Sequence, residues 1–94
     1  MSRLSHVVPE KHMKALYRLV SEIGTPREAE KVLEDLLTPQ ELEVIAERLQ
    51  IVKLLLKGAT QREVAAELGV SISKVTRGAH VLQYGTGALN KILK

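Results

Sequence analysis

The chain has 94 residues, one domain at most, and no cysteine, so neither a disulfide framework nor a thiolate metal site is available. Its 14 Lys and Arg against 11 Asp and Glu leave a formal net charge of +3, compatible with a polyanionic partner and far from diagnostic of one. The opening MSRLSHVVPEKH lacks the long apolar core of a signal peptide and no run reaches membrane-spanning length, which together with the missing cysteines predicts a cytoplasmic protein.

The signal is helical nearly throughout. Residues 1–8 are expected to form a flexible arm. Residues 9–94 are expected to form a single all-α domain of about six helices. Met13, Leu16, Tyr17, Val20 and Ile23 fall at helical spacing between Pro9 and Gly24. Thr25-Pro26-Arg27-Glu28 then opens a second helix: the threonine caps, the proline suits the first turn, and Glu28 closes a capping box. Thr38-Pro39-Gln40-Glu41 repeats the device at the start of the longest helix, which runs to about Lys57 with Gly58 as its stop.

That helix carries one full apolar stripe, Leu42, Ile45, Ala46, Leu49, Val52 and Leu56. Val44, Ile51, Leu54 and Leu55 are apolar on other sides. A helix apolar on several sides must be covered on several sides. So short a chain can hardly cover it alone, and an intertwined homodimer is the natural source of cover; a compact monomer with a few exposed leucines is the alternative.

Residues 60–83 read as a helix-turn-helix. Thr60-Gln61-Arg62-Glu63 is a third capping box, Gly69 permits the positive φ of a tight turn, and Ser71 caps the second helix. Val75, Gly78, Ala79 and Leu82 face inward at i, i+3, i+4 and i+7, leaving Ser73, Lys74, Thr76, Arg77 and His80 outside. This is the pattern of a unit that sets its second helix in the major groove of double-stranded DNA. A plain helical hairpin serving as an interaction module remains the alternative. Gly78 is the odd residue, since a mid-helix glycine costs up to about 1 kcal/mol against alanine and something should need the space. His6, His12 and His80 lack metal-ligand spacing, and no nucleophile motif or phosphate-cradling loop is present, so neither a metal site nor an enzyme is expected.

LTPQELEVIAERLQIV (37–52) and LLLKGATQREVAAELGVSISKVTRG (54–78) resemble the Trp repressor superfamily, with its LTP-type helix start, its arginine midway along the long helix, its QRE passage and its TRG. The tail LQYGTGALNKIL resembles the YerC/YecD-type branch more than the tryptophan-sensing members. The resemblance implies a dimeric repressor whose corepressor, L-tryptophan or a related aromatic carboxylate, wedges beside the recognition helix. Arg77 would pair with the ligand carboxylate, Arg48 would lie over its ring, Gly78 would leave room for that ring, and Leu37 and Thr38 would complete the wall. It also implies that Gln61, Arg62, Ile72, Ser73, Lys74 and Thr76 face DNA, with Arg62 reading guanine and Ile72 meeting a thymine methyl. Ala65 stands where the tryptophan-sensing branch can carry a lysine, which implies a different operator. Val81 stands where that branch carries a serine that receives the ligand's amine, which implies a weakened preference for the amino group. A regulator of the YerC/YecD type, with another ligand or none, is the second expectation.

Overall fold

The structure is a computed structural model and describes residues 7–93, so most of the expected N-terminal arm lies outside the described residues. Six α-helices follow in order: α1 (Glu10–Glu22), α2 (Pro26–Leu36), α3 (Pro39–Leu56), α4 (Gln61–Leu68), α5 (Ile72–Tyr84) and α6 (Ala88–Ile92). There is no strand among the described residues. The all-α expectation and its helix starts hold. The chain divides into two compact units, 1–38 and 39–94.

In the first unit, Thr25 Oγ1 accepts from the Glu28 amide at 3.1 Å, so the threonine caps as expected. The reciprocal half differs, because Glu28 Oε1 accepts from the Gly24 amide at 2.9 Å rather than from Thr25. The carboxylate reaches one residue further back, to the chain end left by α1. No residue of α1 or α2 is buried.

The second unit holds the core. Ile51 of α3, Val64 of α4 and Val75 of α5 form its centre, with Leu54, Leu55, Ala59, Ala65, Leu68 and Val70 packed against them. These side chains bring α3, α4 and α5 together pairwise. Along the apolar stripe of α3 Val52 is buried, whereas Ile45 and Leu49 stay 49% and 40% exposed. The reason is the side of α3 that is used: α4 and α5 pack on the Ile51 side, and helical spacing puts Ile45 and Leu49 on another.

The ends of these helices are locally determined. At the close of α3 the Gly58 amide donates to the Leu55 carbonyl at 3.0 Å and the Ala59 amide to the Leu54 carbonyl at 3.2 Å. With Gly58 at φ 99°, that is a Schellman stop. The α4 box is complete: Thr60 Oγ1 accepts from the Glu63 amide at 3.2 Å and Glu63 Oε1 from the Thr60 amide at 2.8 Å. That backbone hydrogen bond, with the Thr60 hydroxyl, holds the Glu63 carboxyl below its ordinary pKa. Gly69 adopts φ 65° at the turn, and Ser71 Oγ accepts from the Lys74 amide at 3.3 Å to open α5.

Candidate nucleic-acid interface and ligand cleft

The turn between α4 and α5 sets two faces. Val75 and Gly78 are buried beneath α5, and Ala79 and Leu82 are half-buried. Ser73, Lys74, Thr76, Arg77 and His80 are exposed, as sequence spacing predicts. Ile72 presents an apolar side chain that is 50% exposed at the first turn of α5. At the start of α4, Gln61 and Arg62 are exposed too. The Thr76 hydroxyl lies 2.9 Å from both Gln61 Oε1 and the Ile72 carbonyl oxygen, and its one proton goes to either acceptor. The contact to Gln61 ties the start of α4 to α5 and fixes one edge of the exposed face. Arg62 has no ion-pair partner among the described residues, so its five donors are unspent.

A second feature opens along the side of α5 that faces α3. A cleft of about 290 Å³ is lined by Val44, Glu47, Arg48 and Ile51 of α3 and by Ser73, Lys74 and Arg77 of α5. That is at the lower end of the range for small-molecule sites. Lys74 Nζ meets Glu47 Oε1 across the cleft at 3.0 Å. Neither Arg48 nor Arg77 has an ion-pair partner among the described residues. Two forked cations therefore share one cleft with an apolar wall from Val44 and Ile51, an arrangement suited to a carboxylate on a flat apolar body.

The model of the Trp repressor protein family matches residues 11–94. The chain belongs to the Trp repressor family. It is 39% identical over 75 residues to a Trp operon repressor homolog of Xylella fastidiosa (strain M23), a match covering 79% of this chain and 82% of the relative. A Trp operon repressor homolog of Vibrio parahaemolyticus is 32% identical over 97% of this chain and 89% of its own. The uncharacterized protein YerC of Bacillus subtilis is 26% identical over 88% of this chain and 80% of its own. In fold, the chain is similar to a crystal structure from Staphylococcus aureus described as a Trp repressor candidate, with a TM-score of 0.87 and 24% identity over 99% of this chain and 92% of that one.

Of the residues singled out by likeness to the Trp repressors, Arg48 and Arg77 come together in the cleft, beside Ser73 and Lys74. Gly78 is buried, and the space above it holds Ile51: a Cβ there would stand 2.6 Å from Ile51 Cγ2. In this structure the glycine serves the close approach of α5 to α3. Val81 is half-buried. Leu37 and Thr38 belong to the first compact unit. Sequence reasoning missed Glu47. Its partner is Lys74, 27 positions along the chain. A charge pattern within one helix carries no signal of such a pair.

Proposed function

We propose that this protein is a dimeric, sequence-specific DNA-binding regulator, most simply a cytoplasmic repressor, whose affinity for DNA responds to a small aromatic carboxylate such as L-tryptophan. One juxtaposition carries the reading. The exposed face of Arg62, Ile72, Ser73 and Thr76 lies beside a cleft whose two arginines lack carboxylate partners. In this reading Arg62 pairs with a guanine edge, Ile72 contacts a thymine methyl, and Gln61, Ser73, Thr76 and Lys74 serve base edges and phosphates. Arg77 takes the ligand carboxylate and Arg48 the face of its ring. Leu37 and Thr38, supplied by the second subunit, close the ring's far side. No step here calls for catalysis.

A second reading is favoured by two observations. Ile51 occupies the space above Gly78, and Val81 offers no acceptor for an amine. These fit a YerC-type regulator that works with another ligand or without one. Binding of a fluorescent duplex, followed against salt with and without L-tryptophan, tests both. Phosphate contacts release counterions, so affinity must fall steeply as salt rises. Salt-dependent binding strengthened by tryptophan supports the first reading, and salt-dependent binding indifferent to it supports the second. A protein that ignores duplex DNA at low salt is an interaction module, and both readings fail.

A further inference from the structure

The ion pair across the cleft joins two elements that the proposed function treats differently. Glu47 lies on α3, within the body of the unit, and Lys74 lies on α5, the helix proposed to meet DNA. Of the three cations lining the cleft, Arg48, Lys74 and Arg77, Lys74 alone is held by a carboxylate among the described residues. Glu47 is the one carboxylate in that lining.

A lysine on a recognition helix contributes to DNA affinity mainly as a point charge beside a phosphate. The Glu47 carboxylate offers its ammonium the same chemistry, two anionic oxygens, at 3.0 Å. The two acceptors therefore compete. Lys74 keeps 57% of its side-chain surface exposed and Glu47 27%, so the pair is solvated and weak, easily exchanged rather than locked. We infer that Glu47 acts as an internal stand-in for phosphate, withholding Lys74 from DNA while the cleft is empty. The ion pair then works as a brake on DNA binding, and a group that occupies Glu47 releases it.

The inference rests on the DNA-binding reading, and its test separates the two. The protein is titrated without added ligand against a fluorescent random-sequence duplex over a series of salt concentrations. Wild type is compared with Glu47→Gln, Lys74→Gln and the double variant. Glu43→Gln, an exposed position one turn earlier on α3, controls for the simple loss of a negative charge. Freeing Lys74 from so solvated a pair strengthens binding by up to about fivefold at 0.1 M salt, and a phosphate contact that wild type does not make steepens the slope of log affinity against log salt by about 0.9. Glu47→Gln is expected to show both changes, to exceed Glu43→Gln, and to lose its effect when Lys74 is already glutamine. An equal effect of Glu47→Gln in the presence and absence of Lys74, or no effect in either, overturns the inference while leaving DNA binding intact. Failure of wild type to bind the duplex at low salt overturns the DNA-binding reading and the inference with it.

Discussion

Gly78 and Ile51 meet face to face where α5 crosses α3: a methyl group built on Gly78 would stand 2.6 Å from Ile51 Cγ2. Two effects oppose each other in Gly78→Ala. Helix propensity favours alanine by up to about 1 kcal/mol, while overpacking a filled core costs about 1–3 kcal/mol. Ile51 is β-branched and only 2% exposed, so its methyl has nowhere to turn. The clash wins, and Gly78→Ala is expected to destabilise the protein by about 1 kcal/mol in a denaturant titration. Ile51→Ala removes the obstructing methyl, so the double variant should lose less than the sum of the two single losses. Strict additivity would show that the two residues do not interfere.

Assembly is the next test. Among the described residues the fully buried side chains Ile51, Val52, Val64 and Val75 all belong to the second unit, and the first contributes none. Val20, Leu36 and Ile45 are each about half exposed. A folded chain with so little internal core is expected to be an obligate homodimer, with α1, α2 and the first turns of α3 covered by the second copy. Sedimentation at micromolar concentration should give twice the chain mass, and the melting temperature should rise with protein concentration. A folded monomer that melts at one temperature whatever its concentration would contradict this.

The ligand comparison joins Val81 to Glu47. Val81 has no acceptor for an amine, and the cleft's one carboxylate already holds Lys74. An amine that takes Glu47 displaces another ammonium, so its net gain in the free protein is small. L-Tryptophan and its des-amino analogue indole-3-propionate should therefore bind within tenfold of each other, a gap under about 1.4 kcal/mol. Their effects on DNA should differ, because only tryptophan releases Lys74, and coupling between two sites is reciprocal. Tryptophan should strengthen duplex binding several-fold more than the analogue does. Equal strengthening by both would disconnect Glu47 from the ligand, and binding of neither would favour the YerC-type reading.

What the sequence reveals here is what the backbone decides within a few residues. Thr60 and Glu63, Gly69 at φ 65° and Ser71 over Lys74 are local devices, and each was legible as a pattern over three to five positions. The inward run Val75, Gly78, Ala79 and Leu82 was legible because helical period alone sets it. Long-range choices were not. Ile51 heads the core because α4 and α5 pack on its side of α3, and the spacing of apolar residues on α3 does not choose among its sides. Glu47 and Lys74 become neighbours only through the same packing. Arg48 and Arg77 were found by family likeness; their spacing in sequence says nothing of a shared cleft.

Arg62 separates base reading from general attraction. Its guanidinium has no ion-pair partner among the described residues, and a bidentate pair with guanine is worth about 1–3 kcal/mol of discrimination. Arg62→Ala should lose about that much on a specific site and little on random duplex. Equal losses on both would reduce Arg62 to a phosphate contact.

The most direct measurement is selection of duplexes from a random pool by the wild-type protein in the presence of L-tryptophan, followed by sequencing. Two recognition helices related by a two-fold axis meet successive major grooves about 34 Å apart. The selected duplexes should therefore converge on two inverted half-sites about ten base pairs apart, centre to centre, and Arg62→Ala should relax one guanine in each. A pool that stays random through repeated rounds, although the protein is folded and dimeric, would contradict a sequence-reading role for α5.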